Sequence, residues 1–378
     1  MDTIPRFSRF VENERLTAHL HSLRDLTILD NSGVPRRAEA YLSTLFDVIP
    51  DDILRSFRFL GGIDTPAERH IHDLLRRRQK KLRSLHTDFY WSHRFFAPEV
   101  SEEEDRKEGV LALVEEIPLR TLNLKTRCSF RELDRLVQLI SCHSQNLRRL
   151  CLHRPYYWEF DSDESPATPF QPSVQPLPNL KEFALIDLDP TLHGIAGLVD
   201  FQTLTHLTCR GRPCYDRKML ETLFGTSDGK EFSLIHLALT LQRSPPDFDT
   251  EQFELSTFLD LCPELQSLHF YWEEDNREGS EMYMDVVHWI TKNGSKLRSL
   301  GLGMYVEDLN AEDAEKELKD LSQLCNTCPN LQQLCFGMDA SLLVVSAQRL
   351  EKFRPANLRP FSYLFDNDNQ IVSDIHYA

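Results

Sequence analysis

The chain has 378 residues, 41% of them hydrophobic, and carries 59 acidic against 43 basic residues for a formal charge of −16. That length exceeds what one ordinary core serves, so several domains or one repeat array is expected. The acidity excludes a broad basic face for nucleic acid.

No window approaches the ~20 consecutive apolar residues of a membrane span. The opening MDTIPRFSRF lacks the apolar core of a secretory signal. The nine cysteines are scattered and odd in number, which reads as reduced, mostly buried thiols of a cytoplasmic or nuclear protein.

Taken in chain order, residues 1–22 read as an N-terminal cap. A Leu-x-x-Leu-x-apolar pattern then opens at Leu23 (LRDLTIL) and returns at Leu54 (LRSFRFL). The helical stretch RAEAYLSTLFDVI lies between these two copies. A second helix is predicted in TPAERHIHDLLRRRQKK, where Thr65 and Glu68 form a capping box and Pro66 takes the first helical position. The copy at Leu82 (LRSLHTD) follows and is imperfect, because Thr87 stands where an apolar residue should. Next come Leu119 (LRTLNLK), a helix in SFRELDRLVQLISC with Ser129 and Glu132 as its capping box, and Leu147 (LRRLCLH). Copies continue at Leu180 (LKEFALI), Leu204 (LTHLTCR), Leu234 (LIHLALT), Leu265 (LQSLHFY), Leu297 (LRSLGLG) and Leu331 (LQQLCFG), and end with a degenerate one at Leu358 (LRPFSYL). The stretches STFLDLC, MDVVHWITK and AEKELKDLSQLC between them are amphipathic at helical spacing. Residues 365–378 read as a loose tail.

Twelve copies recur at spacings of 24 to 37 residues. Within each copy the fourth and sixth positions alternate with polar residues, as a strand with one buried face requires. Each copy is therefore a strand, a loop, a helix and a loop. A unit of ~30 residues cannot bury its apolar face alone, so neighbours must stack. The expected fold is an α/β solenoid over residues 23–364, a horseshoe of about twelve strand-loop-helix repeats with a parallel concave sheet.

The segments LDLCPELQSLHF (259–270) and LCNTCPNLQQLCF (324–336) end a helix in Cys-Pro-x-Leu and pass directly into the next strand. In this the chain resembles the leucine-rich-repeat family, and most closely the repeat region of fungal F-box/leucine-rich-repeat proteins. The resemblance implies a non-catalytic protein–protein interaction module, F-box-like in recognising substrates for a cullin–RING ubiquitin ligase, with a Skp-type adaptor as partner. A standard F-box has no room before Leu23. LFDVIPDDILRSF (45–57) resembles an F-box opening, but Leu54 and Phe57 already serve the second copy. The alternative is a ubiquitin-independent repeat scaffold or regulatory protein.

The third, fifth and seventh positions of each copy should face away from the core. They bring His86, His153, His206, Arg210, His236 and His269 to a polar face with few carboxylates, suited to a polar or acidic protein segment. These histidines read as solvated surface groups rather than metal ligands. Three Tyr-Trp pairs, Tyr90-Trp91, Tyr157-Trp158 and Tyr271-Trp272, fall where strands should exit, next to the longest insertions (88–110, 153–179 and 271–280). Insertions of this kind map to one face of a repeat array, and such aromatics dominate binding hot spots, so a partner-binding rim is expected there. The same rings could instead cap the sheet edge as local packing. The insertion 155–178, with six prolines and an acidic run, reads as flexible.

Catalytic and cofactor patterns are missing. Cys325 and Cys328 have CxxC spacing without a second pair, and Cys142-His143 ends a repeat helix. GLGMY (301–305) and GGIDTPAER (61–69) lack what a phosphate-cradling loop needs. The reading is a non-enzyme with no cofactor, no metal, no nucleic-acid partner and no membrane contact.

Overall fold

The computed structural model describes residues 19–30, 43–61, 66–90, 109–127, 130–153, 174–186, 188, 195–210, 230–242, 255–273, 281–305 and 326–337. The protein is α/β, and every strand pairing described is parallel. The chain divides into two compact units, Met1–Leu234 and Ile235–Ala378.

In the first unit the strands are β1 (Asp25–Asp30), β2 (Ser56–Gly61), β3 (Ser84–Tyr90), β4 (Thr121–Arg127), β5 (Arg149–His153), β6 (Glu182–Ile186) and β7 (His206–Arg210). Each pairs with the next in chain order. The register never slips: Leu26 pairs with Phe57, Phe57 with Leu85, Leu85 with Leu122, Leu122 with Leu150, Leu150 with Phe183 and Phe183 with Leu207. A one-residue slip would turn a whole strand inside out, so this constancy keeps the apolar positions in straight columns. The columns are the core: from the second copy to the seventh, the first, fourth and sixth residues are at most 2% exposed.

The helices of this unit are α1 (Pro66–Arg78), α2 (Gly109–Glu116) and α3 (Phe130–His143). α1 begins at Pro66 and α3 at the residue after Ser129, as their capping sequences predict. α3 buries Leu133, Leu136, Val137 and Ile140, one stripe at helical spacing. α2 packs against both α1 and α3. This segment was not picked out in the sequence, because residues 110–114 form a continuous apolar run rather than a stripe. Val110, Ala112, Leu113 and Val114 are all buried. Before β7 a 3-10 turn, Ile195–Leu198, stands where a repeat helix was expected. A Cβ on Gly197 there would sit 3.3 Å from Val174 Cβ, so this short turn packs closely on the chain preceding β6.

The stretch 45–57 is held by the end of α1. Gln79 Oε1 accepts from Ile53 and Leu54 N–H, both at 3.0 Å, and Gln79 Nε2 donates to Pro50 O at 3.0 Å. Arg78 donates to Phe46 O and Ile49 O and pairs with Asp51 at 2.6 Å. Asp52 takes the left-handed turn, φ 59°, that brings the chain into β2.

The second unit repeats the plan with β8 (His236–Gln242), β9 (Ser267–Glu273), β10 (Ser299–Tyr305) and β11 (Gln333–Gly337), again paired in chain order. Leu237, Leu268, Leu300 and Leu334 share one column. Helices α4 (Leu255–Asp260) and α5 (Glu281–Asn293) pack on each other. The helix expected in AEKELKDLSQLC, the copy at Leu358, residues 1–18 of the cap expected at 1–22 and the tail at 365–378 lie outside the described residues.

Candidate partner-binding face

The non-core face of the second unit carries a chain of histidine–serine pairs. His236 occupies the third position of its copy, and its Nδ1 lies 2.7 Å from Ser267 Oγ on the neighbouring strand. His269 occupies a fifth position, and its Nε2 lies 3.0 Å from Ser299 Oγ on the strand after that. The two rings face each other at 5.5 Å and 46°. Gly301 is the strand partner of His269. A Cβ there would sit 2.5 Å from His269 Nδ1, so the ring takes the space a side chain at 301 would fill. His236 and His269 are only 5% and 6% exposed. The expectation of solvated histidines is therefore wrong for these two. They are side chains of the pleat, locked by cross-strand hydroxyls, and their rings do not form an open binding surface.

The first unit bears the expected alternation. β5 and β6 bury every second residue and leave the others accessible in part or in full. His86, His153 and His206 are half-buried. His206 Nδ1 lies 2.9 Å from Thr205 Oγ1. Burial holds its pKa below the ordinary value, while Glu182 pulls upward and Arg149 pushes down. Arg149 and Glu182 pair across the strands at 2.5 Å. This face is polar and mixed, with its charges partly spent on each other.

The aromatic residues are placed only in part. Tyr90 is the last residue of β3, and Tyr271 and Trp272 lie within β9, in register with Gly303 and Met304. The side chains of these three and of Arg210, together with Trp91, Tyr157 and Trp158, lie outside the described residues.

Other sequence candidates resolve into packing. Cys328 is buried, and a Cβ on Gly294 would meet its Sγ at 2.6 Å; its CxxC partner Cys325 lies outside the described residues. Burial pushes the Cys151 and Cys209 thiols up to about 12, so neither carries thiolate at neutral pH. His143 Nε2 faces Glu115 at 3.8 Å. GLGMY forms most of β10 rather than a loop. Among the described residues no three His, Cys, Asp or Glu side chains converge as a metal site, and no helix is long and apolar enough to cross a membrane. The chain matches no family model and none of the curated proteins.

Proposed function

We propose that the chain is a leucine-rich-repeat solenoid of about twelve repeats that works as a non-catalytic protein-recognition module of the cytoplasm or nucleus. Its role resembles that of the substrate-binding half of an F-box/leucine-rich-repeat protein. The observation that carries this reading is the unbroken register. In each unit, consecutive parallel strands align the same positions of successive sequence copies, and in the first unit the face opposite the apolar columns is mostly polar. An array of that kind presents a long polar surface, and proteins are its usual ligands. The partner docks on this surface and on the Tyr-Trp rim.

A ubiquitin-independent scaffold is the second reading. Leu54 and Phe57 favour it, because both are fully buried in the second copy and so are not free to form an F-box helix. Affinity capture of the full chain from its own cells, with the captured proteins identified by mass, separates the two. A Skp-type adaptor arriving with a cullin supports the ligase role. A reproducible partner without them supports the scaffold. Capture that survives both Trp91→Ala and Trp272→Ala removes the aromatic rim, and the absence of any reproducible partner removes recognition altogether.

A further inference from the structure

The second position of each copy, just ahead of the strand, holds a cation in six consecutive copies: Arg24, Arg55, Arg83, Arg120, Arg148 and Lys181. Backbone geometry makes these residues direct neighbours. Arg55 N–H donates to Arg24 O, Arg83 to Arg55, Arg120 to Arg83, Arg148 to Arg120 and Lys181 to Arg148, all at 2.7–2.8 Å. Five of the six are exposed and Arg83 is half-buried.

We propose that this column is a docking stripe for an extended acidic segment of a partner protein. The inference deepens the recognition reading above and rests on it. Like charges side by side cost stability, so a column of six is expected to carry a compensating ion. Other cations of this acidic chain have one: Arg76 pairs with Glu116, Arg78 with Asp51 and Arg149 with Glu182. Among the described residues none of the six pairs with a carboxylate. Arg55, Arg83 and Lys181 each donate to one backbone carbonyl of the following copy, those of Lys81, Pro118 and Thr203. These bonds hold the heads in line along the sheet without neutralising them.

The stripe has a length. Six strands at ~4.8 Å spacing span about 24 Å, which an extended segment of about seven residues covers. It also ends: the seventh copy has Thr205 in that position, and the later copies have Ile235, Gln266, Arg298, Gln332 and Arg359, with no two cations consecutive. Beside the cations the third positions hold Asp25, Ser56, Ser84, Thr121, Arg149 and Glu182; Arg149 pairs with Glu182, and the half-buried hydroxyls of Ser56, Ser84 and Thr121 can donate to carboxylates. Single-stranded nucleic acid needs stacking aromatics beside its cations. The third and fifth positions of the first six copies hold none, so peptide carboxylates are the anion this surface suits.

The test is fluorescence anisotropy of a labelled heptaglutamate peptide against the full chain, with heptaglutamine and decauridylate as comparison probes. The variant is Arg120→Glu/Arg148→Glu, at two exposed residues whose side chains make no hydrogen bond or ion pair among the described residues. Arg120→Gln/Arg148→Gln guards against a folding artefact of reversed charge, and circular dichroism checks both. Expected are binding of heptaglutamate at about 0.1 M NaCl, a loss of about tenfold or more in the Glu variant and again at about 0.5 M NaCl, and no binding of heptaglutamine. Three results overturn the stripe: no heptaglutamate binding, binding unchanged in both variants, or decauridylate binding tighter than heptaglutamate. Capture of the cellular partner by Arg120→Glu/Arg148→Glu at wild-type yield also refutes the stripe and leaves the recognition reading standing. Failure of the wild-type chain to capture any partner removes that reading, while the peptide measurement still judges the stripe.

Discussion

His72 sits fully buried on α1 with its Nε2 3.0 Å from Thr87 Oγ1. Desolvation lowers its pKa from 6.5 to about 4. The native state thus binds the proton less well than the unfolded chain, and stability falls as pH drops from 6.5 toward 4, by up to about 1.4 kcal/mol per unit. Urea unfolding at pH 6.5 and 5 should show about 2 kcal/mol more acid loss in the natural chain than in His72→Leu/Thr87→Val; equal losses would clear His72 of the role. Gln79 is a second such residue. Gln79→Ala strands two N–H groups over Ile53 and Leu54, and equilibrium denaturation should register a cost of about 3 kcal/mol. Gly301→Ala forces a methyl into the His269 ring and should cost about 1–3 kcal/mol, an amount that a second change, His269→Ala, should largely restore. Thr87 was visible in the sequence as the one polar misfit in its column. Its partner was not, because 15 residues and a turn separate them and pattern says nothing about which helical side chain reaches back.

At the scale of elements, strands were legible because burial repeats with period two and the period restarts at each copy. Two helix starts were legible because Pro66 and Ser129 mark them chemically. What failed were elements without a periodic signal: α2, whose apolar residues run on without a stripe, and Ile195–Leu198, where two glycines and a short span leave room only for a 3-10 turn. Column position rather than residue class should set the effect of mutation. Leu150→Ala, at a residue with no exposure, should cost about 2–5 kcal/mol. Arg148→Ala, two residues earlier and exposed, should stay within about 0.5 kcal/mol. Chemical denaturation of the two variants side by side checks the contrast.

Across the whole molecule, charge is segregated. The formal charge is −16, yet one edge of the first unit carries six cations that pair with no carboxylate among the described residues. An approaching acidic segment therefore meets repulsion at long range and attraction at contact. Lengthening the Debye screening distance from ~10 Å at 0.1 M salt to ~30 Å at 0.01 M should strengthen the first more than the second. Stopped-flow association of heptaglutamate should be slower at about 0.01 M than at about 0.1 M NaCl, and weaker again at about 0.5 M. A rate that rises steadily as salt is removed would mean that the stripe alone governs the encounter. The sequence made the polar face of the first unit readable. It missed the stripe because attention falls on the residues within strands, whereas the second position lies just before them. It also took His236 and His269 for open surface, because alternation reports which side of the sheet a residue faces and not whether a neighbouring strand's hydroxyl claims it.

The His72–Thr87 pair has a further consequence for how the chain finds its arrangement. Look-alike copies can be mated out of phase, with a helix laid against the wrong neighbour at little loss of apolar contact. Against the sixth residue of another copy in the first unit, such as Phe59 or Leu124, the His72 imidazole would be buried with no hydroxyl to answer it, a penalty of about 1–3 kcal/mol. The misfit copy thereby works as an index mark, fixing which helix belongs to which strand. His72→Leu/Thr87→Val should erase that mark, and its refolding should show a larger slow-phase amplitude than the natural chain even where its final stability at neutral pH is undiminished.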